Sequence, residues 1–297
     1  MASTTRTQPV LITGCSSGIG QAAALSLHEA GFLVYATARN VAALDGLAGR
    51  GLHTLALDVT DEASMTQAVA AVEAEAGPVG VLVNNAGYGL YGPVEQQPMT
   101  EIRRQFETNV FGLIRLIQLV LPGMRRRRSG RILNVSSMGG RATLPGGAFY
   151  HASKYAVEAL SDALRMEVAQ FGIDVVLIEP GPVRTPWNDV AAASMGTAMP
   201  GNGPGAPPGE SGPGDDPYAR YKAAVGHSFA TAQTGVVGRL GSSAEDVAAV
   251  ITQAVRARRP RTRYLINPVA RSVVTMSRLL PGRAYDAVLR YQYKLPG

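Results

Sequence analysis

A single cysteine, Cys15, occurs in the 297-residue chain, so no internal disulfide framework can stabilise it. Stability must come from a core, and a sequence that is 46% hydrophobic can supply one. A lone cysteine fits a reducing compartment, and a cytoplasmic location is expected. Lysine is nearly absent: Lys154, Lys222 and Lys294 are the only ones, and arginine carries most of the positive charge. No apolar run reaches the length of a membrane span, and MASTTRTQPVLITG holds no signal-peptide stretch before the first strand. His28, His53, His151 and His227 show no metal-ligand spacing, so no metal is expected and each should have a structural or solvent role. There is no internal repeat and no dividing linker, so residues 1–297 are expected to form one domain.

The net charge is +6, and Arg125–Arg128 is its densest run. It closes a long helical pattern, where cations complement the negative helix end. A solvated helix terminus is expected there. No recognition motif or interleaved aromatic pattern points to nucleic acid.

Short apolar runs alternate with longer amphipathic ones. Strands are expected at Pro9–Thr13, Phe32–Thr37, Leu52–Asp58, Val79–Asn84, Gly130–Val135 and Ile173–Glu179. Helices are expected at Gly18–Ala30, near Val41–Gly49, at Asp61–Ala76 with Asp61 as a cap, at Met99–Arg127 with a bend, and at Phe149–Phe171. The strands are apolar without clean alternation, as in a parallel sheet covered on both faces. The expected fold is α/β: a doubly wound, Rossmann-like parallel sheet with a C-terminal helical extension. After Glu179 the pattern breaks. Residues 196–217 are dominated by Gly and Pro and read as a mobile insertion within a lid of roughly 186–235. Helices near Tyr218–Gln233 and Ala244–Arg258, a strand at Arg263–Ile266 and a helical tail follow.

Thr13-Gly14-Cys15-Ser16-Ser17-Gly18-Ile19-Gly20 joins the first strand to the first helix. Glycines let the backbone turn tightly and approach a pyrophosphate, and the helix N-terminus supplies free N–H groups. Cys15 reads as a small loop residue. An acid that would bind the ribose hydroxyls of NAD normally ends the second strand, but this one ends Ala36-Thr37-Ala38-Arg39. Arg39 is placed to pair with a 2′-phosphate, which favours NADP(H). Asp58-Val59 closes the third strand; Asp58 either accepts from the adenine amino group or is a loop residue that caps the next helix.

Tyr150 and Lys154 stand at i and i+4 on one helix face. A nearby cation favours the phenolate and should lower the tyrosine pKa, making it a better acid–base group. Ser137, in Asn134-Val135-Ser136-Ser137, ends the preceding strand, where ligands bind in open α/β sheets. Asn84-Asn85-Ala86-Gly87 ends the fourth strand, with small residues that admit a cofactor ring.

Together, TGCSSGIG, LDVTD, NNAG, the Asn109 in TNVFG, VSS, YHASK and PGPVRT resemble the classical short-chain dehydrogenase/reductase family from about Pro9 to Thr185. The opening and the GPVRT segment look like its hydroxysteroid and retinol dehydrogenase branch. The resemblance implies a catalytic set of Asn109, Ser137, Tyr150 and Lys154. Tyr150 would be the acid–base, Ser137 the carbonyl orienter, Lys154 the ribose ligand, and Asn109 the holder of a relay water. Pro180, Gly181, Pro182, Val183 and Thr185 would contact the nicotinamide amide, and the protein would form a homodimer or homotetramer. The expected reaction is hydride transfer between NADP(H) and a small-molecule carbonyl or alcohol. A non-catalytic NADP(H)-binding regulator of the same fold is the alternative, and the intact catalytic set argues against it.

Tyr88, Leu90, Tyr91, Met138, Leu144, Trp187, Met195 and Met199 fall near the strand ends, with no Arg or Lys placed to clamp an anion, so an apolar substrate is expected. Residues 269–295 carry Leu279, Leu280, Tyr285, Val288, Leu289 and Tyr291 among several arginines. Packing of that face on the core or on a second subunit is expected; attachment to a membrane surface is the alternative.

Overall fold

Seven short strands lie side by side in one parallel sheet: β1 (Val10–Ile12), β2 (Val34–Ala38), β3 (His53–Ala56), β4 (Val81–Asn84), β5 (Gly130–Val135), β6 (Ile173–Pro180) and, after a minor pair, β9 (Arg263–Ile266). The computed structural model describes residues 8–197, 216–234 and 240–296. The strand order is β3-β2-β1-β4-β5-β6-β9. Val10 pairs with Val34 on one side and Val81 on the other, so the chain reverses its direction of winding at β1. The crevice at the carboxyl ends of β1 and β4 is therefore the natural ligand site of the fold.

Side chains alternate across the sheet, and both faces are apolar because both are covered. Val10, Ile12, Val81 and Val83 join a cluster with helices α1 (Gly18–Glu29) and α9 (Ala244–Arg256). Leu11, Leu82, Ile132 and Leu177 join the opposite cluster with α3 (Glu62–Ala76), α5 (Gly112–Arg127) and α6 (Ala148–Val168). Between β2 and β3 lies the one-turn α2 (Asp45–Ala48). Helix starts follow local chemistry. The Asp61 carboxylate accepts from Ala63 N and Ser64 N and caps α3. Ser243 and Asp246 form a reciprocal capping box at α9.

The expected bent helix Met99–Arg127 is three pieces: α4 (Met99–Phe106), a wide π-type turn at Glu107–Phe111, and α5. Asn109 lies buried within that turn. The arginine run is largely the solvated helix end expected: Arg125, Arg126 and Arg128 are exposed, with Arg128 also donating to Gln170 O, and the half-buried Arg127 guanidinium donates to the carbonyls of Pro78 and Val79.

Beyond β6, a two-residue parallel ladder joins β7 (Val183–Arg184) to β8 (Ser242–Ser243). It pins both ends of the segment that carries α7 (Trp187–Thr197) and α8 (Ala219–Thr234). Most of the Gly/Pro-rich stretch 196–217 lies outside the described residues. The tail forms α10 (Pro268–Leu279) and α11 (Gly282–Tyr293), the first capped by Asn267, which accepts from Ala270 N. Among the described residues no helix is long and apolar enough to cross a membrane, and no His/Cys/Asp/Glu group is arranged to hold a metal.

Candidate active site

The glycine loop after β1 is held open by its partners. Gly14 has φ +73°, and a Cβ there would stand 2.9 Å from Ala86 Cα, so both conformation and space demand glycine. Gly20 is buried in the first turn of α1, where a Cβ would run into Gly14 O. Asn85 Nδ2 donates to Thr13 O (2.9 Å) and Gly14 O (3.1 Å), while Thr13 Oγ1 accepts from the amides of Asn85 and Ala86 (3.0 Å each). This lacing makes Thr13 a structural partner of the loop, a role that its local sequence does not mark. Ser17 heads α1 without a side-chain cap bond, and Ser16, Ser17, Gly18 and Ile19 line a cavity of about 1390 Å³. Uncapped amides, positive helix end and missing side chains together fit a dinucleotide pyrophosphate.

Of the other residues expected at a cofactor, Arg39, Asp58, Val59, Asn85, Ala86, Gly87, Pro180, Gly181, Val183 and Thr185 line the same cavity. Arg39 is exposed on its wall. Asp58 accepts from Thr60 N and Oγ1 and does not cap the following helix; Asp61 does. Cys15 is buried with its thiol pushed up to about 12 by burial, an inert core group.

Ser137, Tyr150 and Lys154 also reach this cavity. Tyr150 opens α6, buried against Trp187 (ring centroids 5.1 Å apart) and Tyr91 (5.7 Å). Burial pushes its phenol up to about 12, and the Ser137 hydroxyl beside it pulls the other way. The expected lowering by Lys154 is overturned in this state: desolvation of the phenol dominates, and Lys154 Nζ donates to Val135 O at 2.8 Å. Burial draws the Lys154 ammonium down to about 8, opposed by Glu158 one turn on. Glu158 belongs to a buried ionic cluster. Arg263 Nε lies 3.2 Å from Glu158 and 3.0 Å from Glu179, which Arg141 also meets at 3.0 Å. Burial, and then the Glu179 charge, raise Glu158 to about 7.

Asn109 and Gly20 do not reach the cavity wall. Asn109 Nδ2 donates to Tyr88 O and Ser153 Oγ (3.0 Å each), and its Oδ1 accepts from Tyr88 N at 3.1 Å. Ser153 Oγ in turn donates to Tyr150 O at 2.7 Å. Asn109 thus ties the loop after β4 to the helix that carries Tyr150. His151, buried beside Tyr150, is a staple. Leu144 N donates to its Nε2 (3.2 Å), and its Nδ1 donates to Gly139 O (3.0 Å). Burial lowers its pKa to about 4, which keeps this neutral tautomer, and the loop it fastens carries Met138 and Leu144 to the cavity.

The far end of the cavity is aromatic: Tyr91 meets Trp187 (6.1 Å) and Phe229 (4.7 Å) edge-on. Tyr88, Leu90, Tyr91, Met138, Leu144 and Trp187 line it as expected. Met195 packs in the cluster behind Tyr91 and Tyr150, and Met199 lies outside the described residues. Two basic groups do reach the wall, against expectation: Arg104, paired with Glu101 at 3.7 Å, and Arg184, which donates to Gly241 O. Sequence also missed Phe229 and the tail's Val269, Val273, Gln292 and Tyr293, which are remote in the chain and carry no motif.

The family model described as short chain dehydrogenase matches residues 8–195. The chain belongs to the short-chain dehydrogenase/reductase family, whose oxidoreductases bind a nicotinamide cofactor. It is 43% identical over 182 residues to a 3-ketodihydrosphingosine reductase of Bacteroides thetaiotaomicron, a match spanning 61% of this chain and 66% of that protein. Over 94% of both chains it is 32% identical to an NADPH-dependent 3-dehydrocapnine reductase of Ornithobacterium rhinotracheale. It is 36% identical to bovine retinol dehydrogenase 8, over 90% of this chain and 83% of that one. Among solved structures, a short-chain dehydrogenase from Streptomyces avermitilis superposes with TM-score 0.74 at 32% identity, covering 97% and 96% of the two chains. A serine dehydrogenase complexed with NADP+ superposes with TM-score 0.71 at 27% identity, over 88% of this chain and 95% of that one.

Proposed function

We propose that this protein is an NADP(H)-dependent oxidoreductase that interconverts an apolar carbonyl compound and its alcohol. The observation that carries the reading is the single cavity that joins the glycine cradle, Ser137, Tyr150 and Lys154 to an aromatic end. Held by the glycine cradle, Asn85 to Gly87 and Pro180 to Thr185, a bound nicotinamide would supply the hydride chemistry. Ser137 donates a hydrogen bond to the carbonyl oxygen and holds it toward Tyr150. As negative charge grows on that oxygen, the Tyr150 hydroxyl gives up its proton, so that C=O, hydride and proton become CH–OH. Lys154 leaves Val135 O to hold the cofactor ribose, and its cation then offsets the cost of a buried phenolate. Asn109 acts through position, keeping the Tyr88 loop and α6 in register. Within the proposed lid segment 186–235, α7 and α8 carry Trp187 and Phe229 over the site and exclude water from the transfer. The wall of Tyr91, Trp187 and Phe229 favours apolar substrates. A reductase acting on a ketodihydrosphingosine and a retinol dehydrogenase among the relatives point the same way.

Arg39, with no acid beside it, selects the 2′-phosphate, in keeping with the NADPH-dependent relative and the NADP+-bound neighbour. NADPH absorbance, followed with a panel of long-chain ketones, steroids, retinoids and small polar ketones, tests the whole reading. NADPH should outperform NADH, apolar carbonyls should be consumed first, and Arg39→Asp should erase the cofactor preference. Equal use of NADH by the wild type removes Arg39 from the argument. Turnover confined to anionic, hydrophilic substrates removes the apolar assignment, and no turnover at all favours the regulator.

A further inference from the structure

The last helix has two apolar faces, and the core uses only one of them. Tyr285, Leu289, Gln292 and Tyr293 of α11 turn inward: Leu289 is buried, Tyr285 Oη donates to Thr143 O, and Gln292 and Tyr293 line the main cavity. On the adjoining, outward side Ala284, Ala287, Val288 and Tyr291 are all exposed, Val288 at 39% and Tyr291 at 89%. Their spacing of i, i+3, i+4 and i+7 makes one continuous stripe. Leu279, 76% exposed, stands at the corner that leads into this helix. Beside the stripe, Arg283, Arg290 and Lys294 repeat at i, i+7 and i+11 and form an exposed cationic flank. The preceding helix adds exposed Arg271 and Arg278. Residues 268–296 thus carry five cations against one acid, Asp286.

We infer that the outer face of α10 and α11 docks on an anionic lipid surface, with Tyr291, Val288 and Leu279 entering the headgroup layer and the arginines meeting the lipid charge. An apolar stripe with a cationic flank on one helix is the pattern that lies in a bilayer interface. Charge decides against a second copy of the chain. Two such faces related by a two-fold axis would set Arg283, Arg290 and Lys294 against their counterparts, with Asp286 alone to offset them. The same two helices supply Val269, Val273, Gln292 and Tyr293 to the cavity wall, so docking brings that wall to the lipid. What the surface is for rests on the apolar-substrate reading above: a carbonyl lipid, too insoluble to arrive through water, would enter from the leaflet.

Sedimentation with vesicles of equimolar phosphatidylglycerol and phosphatidylcholine, against phosphatidylcholine alone, tests the docking without any substrate. The wild type should co-sediment with the anionic vesicles, less so as salt rises, and hardly with the neutral ones. Arg283→Glu/Arg290→Glu and Val288→Ser/Tyr291→Ser should each weaken binding by on the order of tenfold while leaving turnover of a water-soluble ketone unchanged. Unchanged turnover shows that the variants are folded. Absence of binding, equal binding to both vesicles, or variants that bind like the wild type would overturn the inference. So would a dimer that Val288→Ser/Tyr291→Ser dissociates, which would assign the stripe to a second copy. Binding by a protein that reduces only polar ketones would keep the docking surface and refute the substrate reading. Reduction of apolar ketones by a protein that ignores vesicles would do the reverse.

Discussion

Tyr150 and Lys154 show how far one residue's chemistry depends on its surroundings. The i, i+4 spacing is visible in YHASK, and it led to the expectation of an acidified phenol. In the folded chain the phenol is pushed up to about 12, because it is enclosed by Trp187 and Tyr91 and the ammonium is bonded elsewhere. The mechanism proposed above requires the cation to move toward the phenol. Tyr150→Phe should therefore lower kcat by about a hundredfold to ten-thousandfold, the range for a lost general acid. The ring would still pack on Trp187 and Tyr91, so thermal stability and NADPH affinity should change little. A variant with near-normal kcat would remove Tyr150 from the mechanism.

At the scale of elements, two helices over the cavity, α7 and α8, carry weak hydrophobic patterns. α7 was not anticipated as a helix, because its sequence WNDVAAASMGT runs into the Gly/Pro-rich stretch and its hydrophobic pattern is weak. Tertiary contacts settle it. Tyr91 N donates to Ser194 Oγ at 2.9 Å, and Ala191 and Met195 are buried against Tyr91 and Tyr150. α8 is fastened by Phe229 on Tyr91 and by Lys222 with Asp216 at 2.8 Å. Both helices carry cavity-lining side chains, so their backbone should feel ligand binding. Hydrogen exchange is expected to slow in residues 187–197 and 219–234 when NADPH and a ketone are both present. Full protection of these helices in the free enzyme would contradict a lid.

Across the whole molecule, two buried groups tilt stability with pH in opposite directions. Glu158 is raised from 4.5 to about 7, so the folded chain holds a proton that the unfolded chain releases. Its contribution is complete at acid pH and is lost as pH rises through about 7. His151 is lowered from 6.5 to about 4, so the folded chain is the one lacking a proton. Its contribution grows as pH rises from about 4 to 6.5. Between 4.5 and 6.5 the two slopes oppose each other. Melting temperatures measured across that window should climb with pH in Glu158→Gln, where only the histidine slope remains. They should fall with pH in His151→Asn, where only the carboxylate slope remains. Parallel profiles in the two variants would show that neither group carries the linkage.

The sequence by itself determined the sheet of parallel strands, the glycine cradle at the first strand–helix junction and the Tyr150–Lys154 spacing. Each is local: a period of apolar residues, a required positive φ at Gly14, a single helical turn. β5 and β9 begin and end at the residues their apolar patterns mark, Gly130–Val135 and Arg263–Ile266. Only the tertiary structure decided that Asn109 sits behind the cavity wall, that Arg104 and Arg184 reach it, and that the tail closes it with Gln292 and Tyr293. It also decided the sign of the Tyr150 shift and divided the tail's apolar residues into an inward and an outward set. These outcomes are sums over neighbours distant in the chain. Desolvation and packing depend on which elements the sheet brings together, and no window of sequence contains them.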